Sequence, residues 1–161
     1  MAVDELRVEV VVEVPRGGRN KYEWDARRGV VVFDRRIVGA VAFPADYGFI
    51  PGTQACDGDP LDALVLLDEP TYPGVHVPCR VLGAVLIRAG DNAPEPKLIC
   101  VALGDPAFAE VHHLTDLPGH LVSEVEQFFA VYKELQDSPT PTLAGRLEVD
   151  AVRKLLGGTA Q

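Results

Sequence analysis

The chain has 161 residues, with 24 acidic against 15 basic side chains and a formal charge of −9. This length implies one domain, residues 1 to 161, able to bury about two thirds of its unfolded surface without disulfide staples. The acidic balance opposes attraction to phosphate backbones and argues against nucleic-acid binding, although a small anion could still be held by a local basic cluster or by metal ions that invert the local sign.

The N-terminal MAVDELRVEV carries acidic residues where a secretory leader would be basic. No apolar run approaches the ~18 residues of a membrane span. The three cysteines, Cys56, Cys79 and Cys100, lack C-x-x-C spacing and are odd in number, so a reducing, cytoplasmic setting without a membrane is expected.

Residues 6 to 14, LRVEVVVEV, alternate and are rich in β-branched side chains, which predicts a strand ended by Pro15. RGGRN is a turn, KYEWD a short strand, and ARRG a second turn before the strand-like VVVFDR and VGAVAF. PADYGFIPGT reads as an ordered loop, followed after an acidic cluster by the strand-like ALVLL, GVHVPCRVLGAVLI and KLICVAL.

Helical spacing enters late, with Leu121, Val125, Phe128, Tyr132 and Leu135 forming a stripe between Gly119 and Gln136. DSPTPTLAG reads as a linker, Glu148 to Leu156 as a second short helix, and GGTAQ as a frayed end. Many short strands followed by helices predict a small β-barrel carrying helices outside.

The chemistry concentrates in ACDGDPLDALVLL, where Asp57, Asp59 and Asp62 occupy six positions at the mouth of an apolar strand. Asp57 and Asp59 project to the same side of an extended stretch, and a turn at Gly58 and Pro60 can bring Asp62 toward them. Ionised groups that close raise one another's pKa unless a cation compensates, and oxygen-only ligation without histidines favours Mg²⁺ or Mn²⁺ over zinc. A solvated acidic turn is the bland alternative. A calcium loop fits less well, because Asp62 and Asp68 stand where the EF-hand needs Gly and Glu.

Taken together, VEVP, KYE, DR, DYGFI, DGDPLDALVL, PCRVLG and FFAVYKEL, in that order between about residues 8 and 136, resemble the soluble inorganic pyrophosphatases of the metal-dependent β-barrel family, the bacterial type. The resemblance implies an α+β fold: a small OB-like five-stranded β-barrel with flanking strands and C-terminal helices packed outside. It implies hydrolysis of inorganic pyrophosphate to two phosphates by a water activated by several Mg²⁺ ions, with Mn²⁺ as a substitute, in a homohexamer.

Residue by residue, the resemblance implies that Asp57 and Asp62 are metal ligands and that Asp59 is the base acting on the attacking water. Tyr47 would stand near that water. Glu13 and Glu23 would contact, largely through water, a metal carried in with the substrate. Lys21, Arg35, Tyr132 and Lys133 would hold the phosphates, with Lys97 on the rim.

One loop departs from the family pattern. Family members carry aspartates seven and two residues before the lysine, whereas RAGDNAPEPK places Gly90 and Glu95 there, with Asp91 next door as a substitute ligand if the loop shifts register. Pro94 and Pro96 resist such a shift. Phe43 stands where a tyrosine is expected. These departures leave two alternatives: a pseudoenzyme or phosphate-binding subunit, and a hydrolase of nucleotide phosphoanhydrides.

Overall fold

A computed structural model describes residues 4–136 and 138–159. Met1 to Val3 of the leader reading, Asp137 of the expected linker and the last two residues of GGTAQ lie outside that range. The strands are β1 (Arg7–Val14), β2 (Asn20–Asp25), β3 (Val30–Arg36), β4 (Asp46–Ile50), β5 (Leu61–Leu66), β6 (His76–Ala89), β7 (Glu95–Ala102) and β8 (Pro141–Glu148). The two α-helices are α1 (Gly119–Val131) and α2 (Val149–Thr159).

The main sheet runs β1-β4-β5-β7-β6-β8, and the further pairing of β1 with β6 closes its first five strands into a ring. All pairings are antiparallel except β5 with β7. This is the α+β, OB-like five-stranded barrel expected from the sequence. Strand β6 makes closure possible through its length: residues 76 to 80 pair with β1, whereas residues 83 to 89 pair with β8.

Both faces of the central strands are buried, which accounts for near-continuous apolar runs such as LVL in β5 and LICVA in β7. On one face Leu64, Ile99 and Val101 pack with Val122, Val125, Phe128 and Phe129 of α1. The other face gathers small and β-branched residues, Ala63, Val65, Ala84 and Cys100, with Val152 of α2. β2 and β3 form a separate two-stranded hairpin. No helix among the described residues is long and apolar enough to cross a membrane.

Five local expectations need correction. Helix α2 continues to Thr159, through the first three residues of the expected frayed end GGTAQ. Residues 38 to 43 form no strand: Ile37 donates to Arg19 O and Phe43 to Gly18 O, so Ile37 and Phe43 plug the core from a loop. The predicted loop PADYGFIPGT contains β4, whose Asp46 is 1 % exposed and accepts from Arg16 N, Thr71 N and Thr71 Oγ1. The predicted linker contains β8, with Pro141 as its first residue, where the missing N–H does least harm. Helix α1 stops at Val131, and the chain continues in tighter turns through Glu134 N to Val131 O and Gln136 N to Lys133 O.

Candidate active site

Most of the residues singled out in the sequence meet in an open cleft of about 490 Å³. β1 supplies Glu13. Along that strand Val12 faces Gly48 and Val14 faces Tyr47, so Glu13 is the extra residue of a β-bulge, a device that re-aims a side chain. The strands approach so closely that a Cβ on Gly48 would stand 1.9 Å from Val11 O, leaving room only for glycine. Glu13 Oε2 accepts the Trp24 N–H at 2.7 Å, which ties the hairpin to the ring. Burial pushes the Glu13 pKa up to about 7; the Trp24 N–H works against this, and the charges of Asp62 and Glu23 add to it.

Asp57 and Asp59 sit on an exposed turn between β4 and β5. Ala55 N donates to Asp59 O at 2.6 Å, Gly58 N to Ala55 O at 3.0 Å, and Asp59 N to Asp57 Oδ1 at 3.0 Å. Gly58 adopts φ +88°, the left-handed region that any other residue enters at a cost.

Asp62 is on β5, directly opposite Lys97 of the parallel strand β7. The Lys97 Nζ lies 2.5 Å from Asp62 Oδ2 and 3.7 Å from Glu95 Oε2, and 5.5 Å from the centre of the Phe129 ring. Burial disfavours this ammonium, but the charge and hydrogen bond of Asp62 outweigh it and raise the Lys97 pKa.

Aromatic side chains make the floor. Tyr47 packs 5.3 Å from Phe43, Phe43 4.7 Å from Phe128, and Tyr132 stacks on Phe128 at 4.9 Å. Phe43 is 2 % exposed, serves this packing and is not among the residues that line the cleft. Burial, followed by the charge of Asp62, holds the Tyr47 phenol well above its ordinary pKa. Lys133 Nζ lies 5.3 Å from the Tyr132 ring centre, and Lys21 Nζ lies 3.0 Å from Glu23 Oε1.

Eleven of the thirteen residues singled out from the sequence line this cleft; Arg35 and Asp91 do not. Arg35 is turned to Asp34 and to Gln136 Oε1, and Asp91 sits exposed on the turn after β6. Sequence reasoning missed Trp24 and Phe49 as lining residues, and the Trp24 N–H is a backbone contact that no residue type signals. His112, His113 and His120, given no role from the sequence, are absent from the lining, and His76 contacts Glu9 across the β1–β6 ladder.

The donor set suits a hard divalent cation: six carboxylates, of Glu13, Glu23, Asp57, Asp59, Asp62 and Glu95, face the three ammonium groups of Lys21, Lys97 and Lys133. The rise in the Glu13 pKa comes first from burial, with the neighbouring charges of Asp62 and Glu23 adding to it. Among the described residues no group of three or more Asp, Glu, His or Cys side chains stands close enough together to hold a metal ion. The fit is therefore one of charge and donor chemistry, with the carboxylates still to be drawn together.

A closed barrel with an open cleft lined by carboxylates and ammonium groups is what the chain presents, and comparison with known proteins says which class it falls in. The family described as inorganic pyrophosphatase matches residues 10–159. The chain is 41 % identical over 157 residues to an inorganic pyrophosphatase of Halalkalibacterium halodurans, covering 97 % of this chain and 94 % of that protein. It is 44 % identical over 155 residues to one from Streptomyces coelicolor, covering 91 % of each. A crystal structure of inorganic pyrophosphatase from Thermus thermophilus superposes with TM-score 0.90 at 37 % identity, covering 96 % of this chain and 89 % of that one. This chain belongs to the inorganic pyrophosphatase family.

Proposed function

We propose that the cleft hydrolyses inorganic diphosphate to two phosphates, the reaction of the family, with the residues that line it in the following roles. The observation that carries this reading is that six carboxylates and three ammonium groups line one open cleft. When bound, divalent cations neutralise the diphosphate and lower the pKa of an attacking water. Mg²⁺ is the proposed cation, with Mn²⁺ able to replace it, because the donors are all hard oxygens.

Asp57, Asp62 and Glu95 would hold the resident cations through carboxylate oxygens, with Glu13 and Glu23 facing a cation that enters with the diphosphate. Glu95 takes this role on the side of the cleft where Gly90 offers no side chain and Asp91 does not reach the lining. Asp59, exposed on its turn, accepts the proton of the attacking water. Tyr47, its phenol kept protonated by burial, donates a hydrogen bond near that water. Lys21, Lys97, Tyr132 and Lys133 bind the phosphate oxygens, and Arg35 joins them by leaving Asp34. Attack forms one P–O bond and breaks the bridging P–O bond, and the second phosphate leaves with its charge offset by these donors.

The three free cysteines support a cytoplasmic location. The chain is proposed to act as one domain and to assemble as a homohexamer; exposed Phe33, Tyr72 and Leu143 offer apolar material for subunit contacts. Phosphate release from diphosphate, measured against Mg²⁺ and Mn²⁺ concentration, tests the activity. Cation-dependent release supports it, and diphosphate binding without release under either ion contradicts it.

A further inference from the structure

Lys97 occupies an unusual place. Its side chain is 11 % exposed, and its ammonium lies between Asp62 and Glu95, two of the carboxylates assigned to the cations. Strand register puts it there: in the parallel β5–β7 pair, Asp62 and Lys97 are direct partners on neighbouring strands. The backbone cannot separate them without breaking the barrel wall. Only the flexible four-carbon stem of the lysine can move the charge away from the carboxylate.

The surroundings show why a positive charge is held at that point. Asp62 is close enough to Glu13 and Tyr47 for its charge to raise the pKa of both. An ammonium on Asp62 relieves that repulsion in the metal-free chain. The ring of Phe129 beneath it adds a cation–π contact at 5.5 Å, which partly offsets desolvation of the ammonium. A divalent cation approaching Asp62 and Glu95 therefore meets a positive charge already in contact with both.

Resting on the reading of the cleft as a cation site, we infer that Lys97 is a built-in counter-ion of the metal-free site, which competes with the divalent cation for Asp62 and Glu95 and sets the concentration at which the site loads. Lys97 stays protonated throughout and shifts from carboxylate to phosphate oxygens as the site fills. It is in this respect a residue that determines cation affinity, in addition to its contact with substrate.

The test is calorimetric titration of the full chain, stripped of metal, with MgCl₂ and MnCl₂, for the parent, Lys97→Gln and Lys97→Arg. Removing a unit charge this close to a carboxylate ligand in a partly dry site is expected to tighten the first cation by about tenfold or more. Lys97→Arg, which retains the charge, is expected to stay within about threefold of the parent. Equal or weaker cation binding by Lys97→Gln overturns the inference, whereas a parent that binds no divalent cation overturns the reading of the cleft itself.

A second measurement avoids reliance on folding of the glutamine variant. In the parent, the side-chain ammonium resonance of Lys97, assigned by comparison with Lys97→Arg, is expected to move in step with occupancy of the first cation. A resonance unchanged through saturation, with cation binding confirmed calorimetrically, overturns the competition.

Discussion

The cleft draws its carboxylates from two different kinds of structure. Asp62 and Glu13 stand on barrel strands, one fixed opposite Lys97 by register and the other re-aimed by a bulge. Asp57 and Asp59 stand on an exposed turn held by its own hydrogen bonds and by Gly58. The strand carboxylates are partly buried: Asp62 is paired with the Lys97 ammonium, and burial raises the Glu13 pKa to about 7, before any cation arrives. Those on the turn are already solvated and can adjust. A site built from both kinds has a fixed wall and an adaptable one.

Asp62 provides the most severe way to break this division. Asp62→Asn removes a proposed ligand and leaves the buried Lys97 ammonium without its closest counter-charge. Loss of turnover by more than about 10³-fold is expected, together with about 2 kcal/mol of stability in the metal-free chain, below the ~3–5 kcal/mol of a fully buried broken pair because Asp62 retains some exposure. Phosphate release and urea unfolding in EDTA measure the two effects. Asp59→Asn is the counterpart on the turn: turnover falls by about 10²- to 10⁴-fold, while stability stays within about 0.5 kcal/mol of the parent.

Gly58→Ala probes how far the turn tolerates distortion. The left-handed backbone there costs a non-glycine residue roughly 1–2 kcal/mol, and urea unfolding is expected to show that loss along with a weaker cation response than the parent. Thiol chemistry separates the same regions without changing any ligand. Burial pushes the Cys79 thiol up to about 12 and that of Cys100 well above its ordinary value, whereas Cys56, beside Asp57, is exposed. One thiol per native chain is expected to react with a disulfide reagent, and three after unfolding.

A further expected effect concerns pH. The Glu13 carboxyl is raised from 4.5 to about 7 in the metal-free fold, so folding favours its protonated form. Its contribution to stability is full below the unfolded value and is lost as pH rises from about 4.5 through 7. Glu13→Gln is therefore expected to melt above the parent at pH 8 in EDTA, with the gap closing toward pH 5.

The same division explains what could be read from residues alone. β1 and the β5–β7 wall were legible because burial imposes apolar alternation or apolar runs on their sequences, and the DGDPLD cluster because three carboxylates close in sequence suit a hard cation. β8 was not legible: its exposed, proline-led strand carries no alternation and gains its order from pairing with β6. The bulge at Glu13 and the Trp24 N–H that anchors it are properties of backbone register, which residue identity does not encode locally. Arg35 matched the expected pattern in sequence, yet its side chain follows the nearer charge of Asp34.

Mn²⁺ gives the most direct view of whether these two walls share a cation. Crystals of the chain soaked in MnCl₂, with anomalous data collected at the manganese edge, should show at least one strong peak bounded by oxygens of Asp57 on the turn and Asp62 on β5. Crystals that diffract well and show no anomalous peak between those side chains, at cation concentrations supporting turnover, would contradict the account.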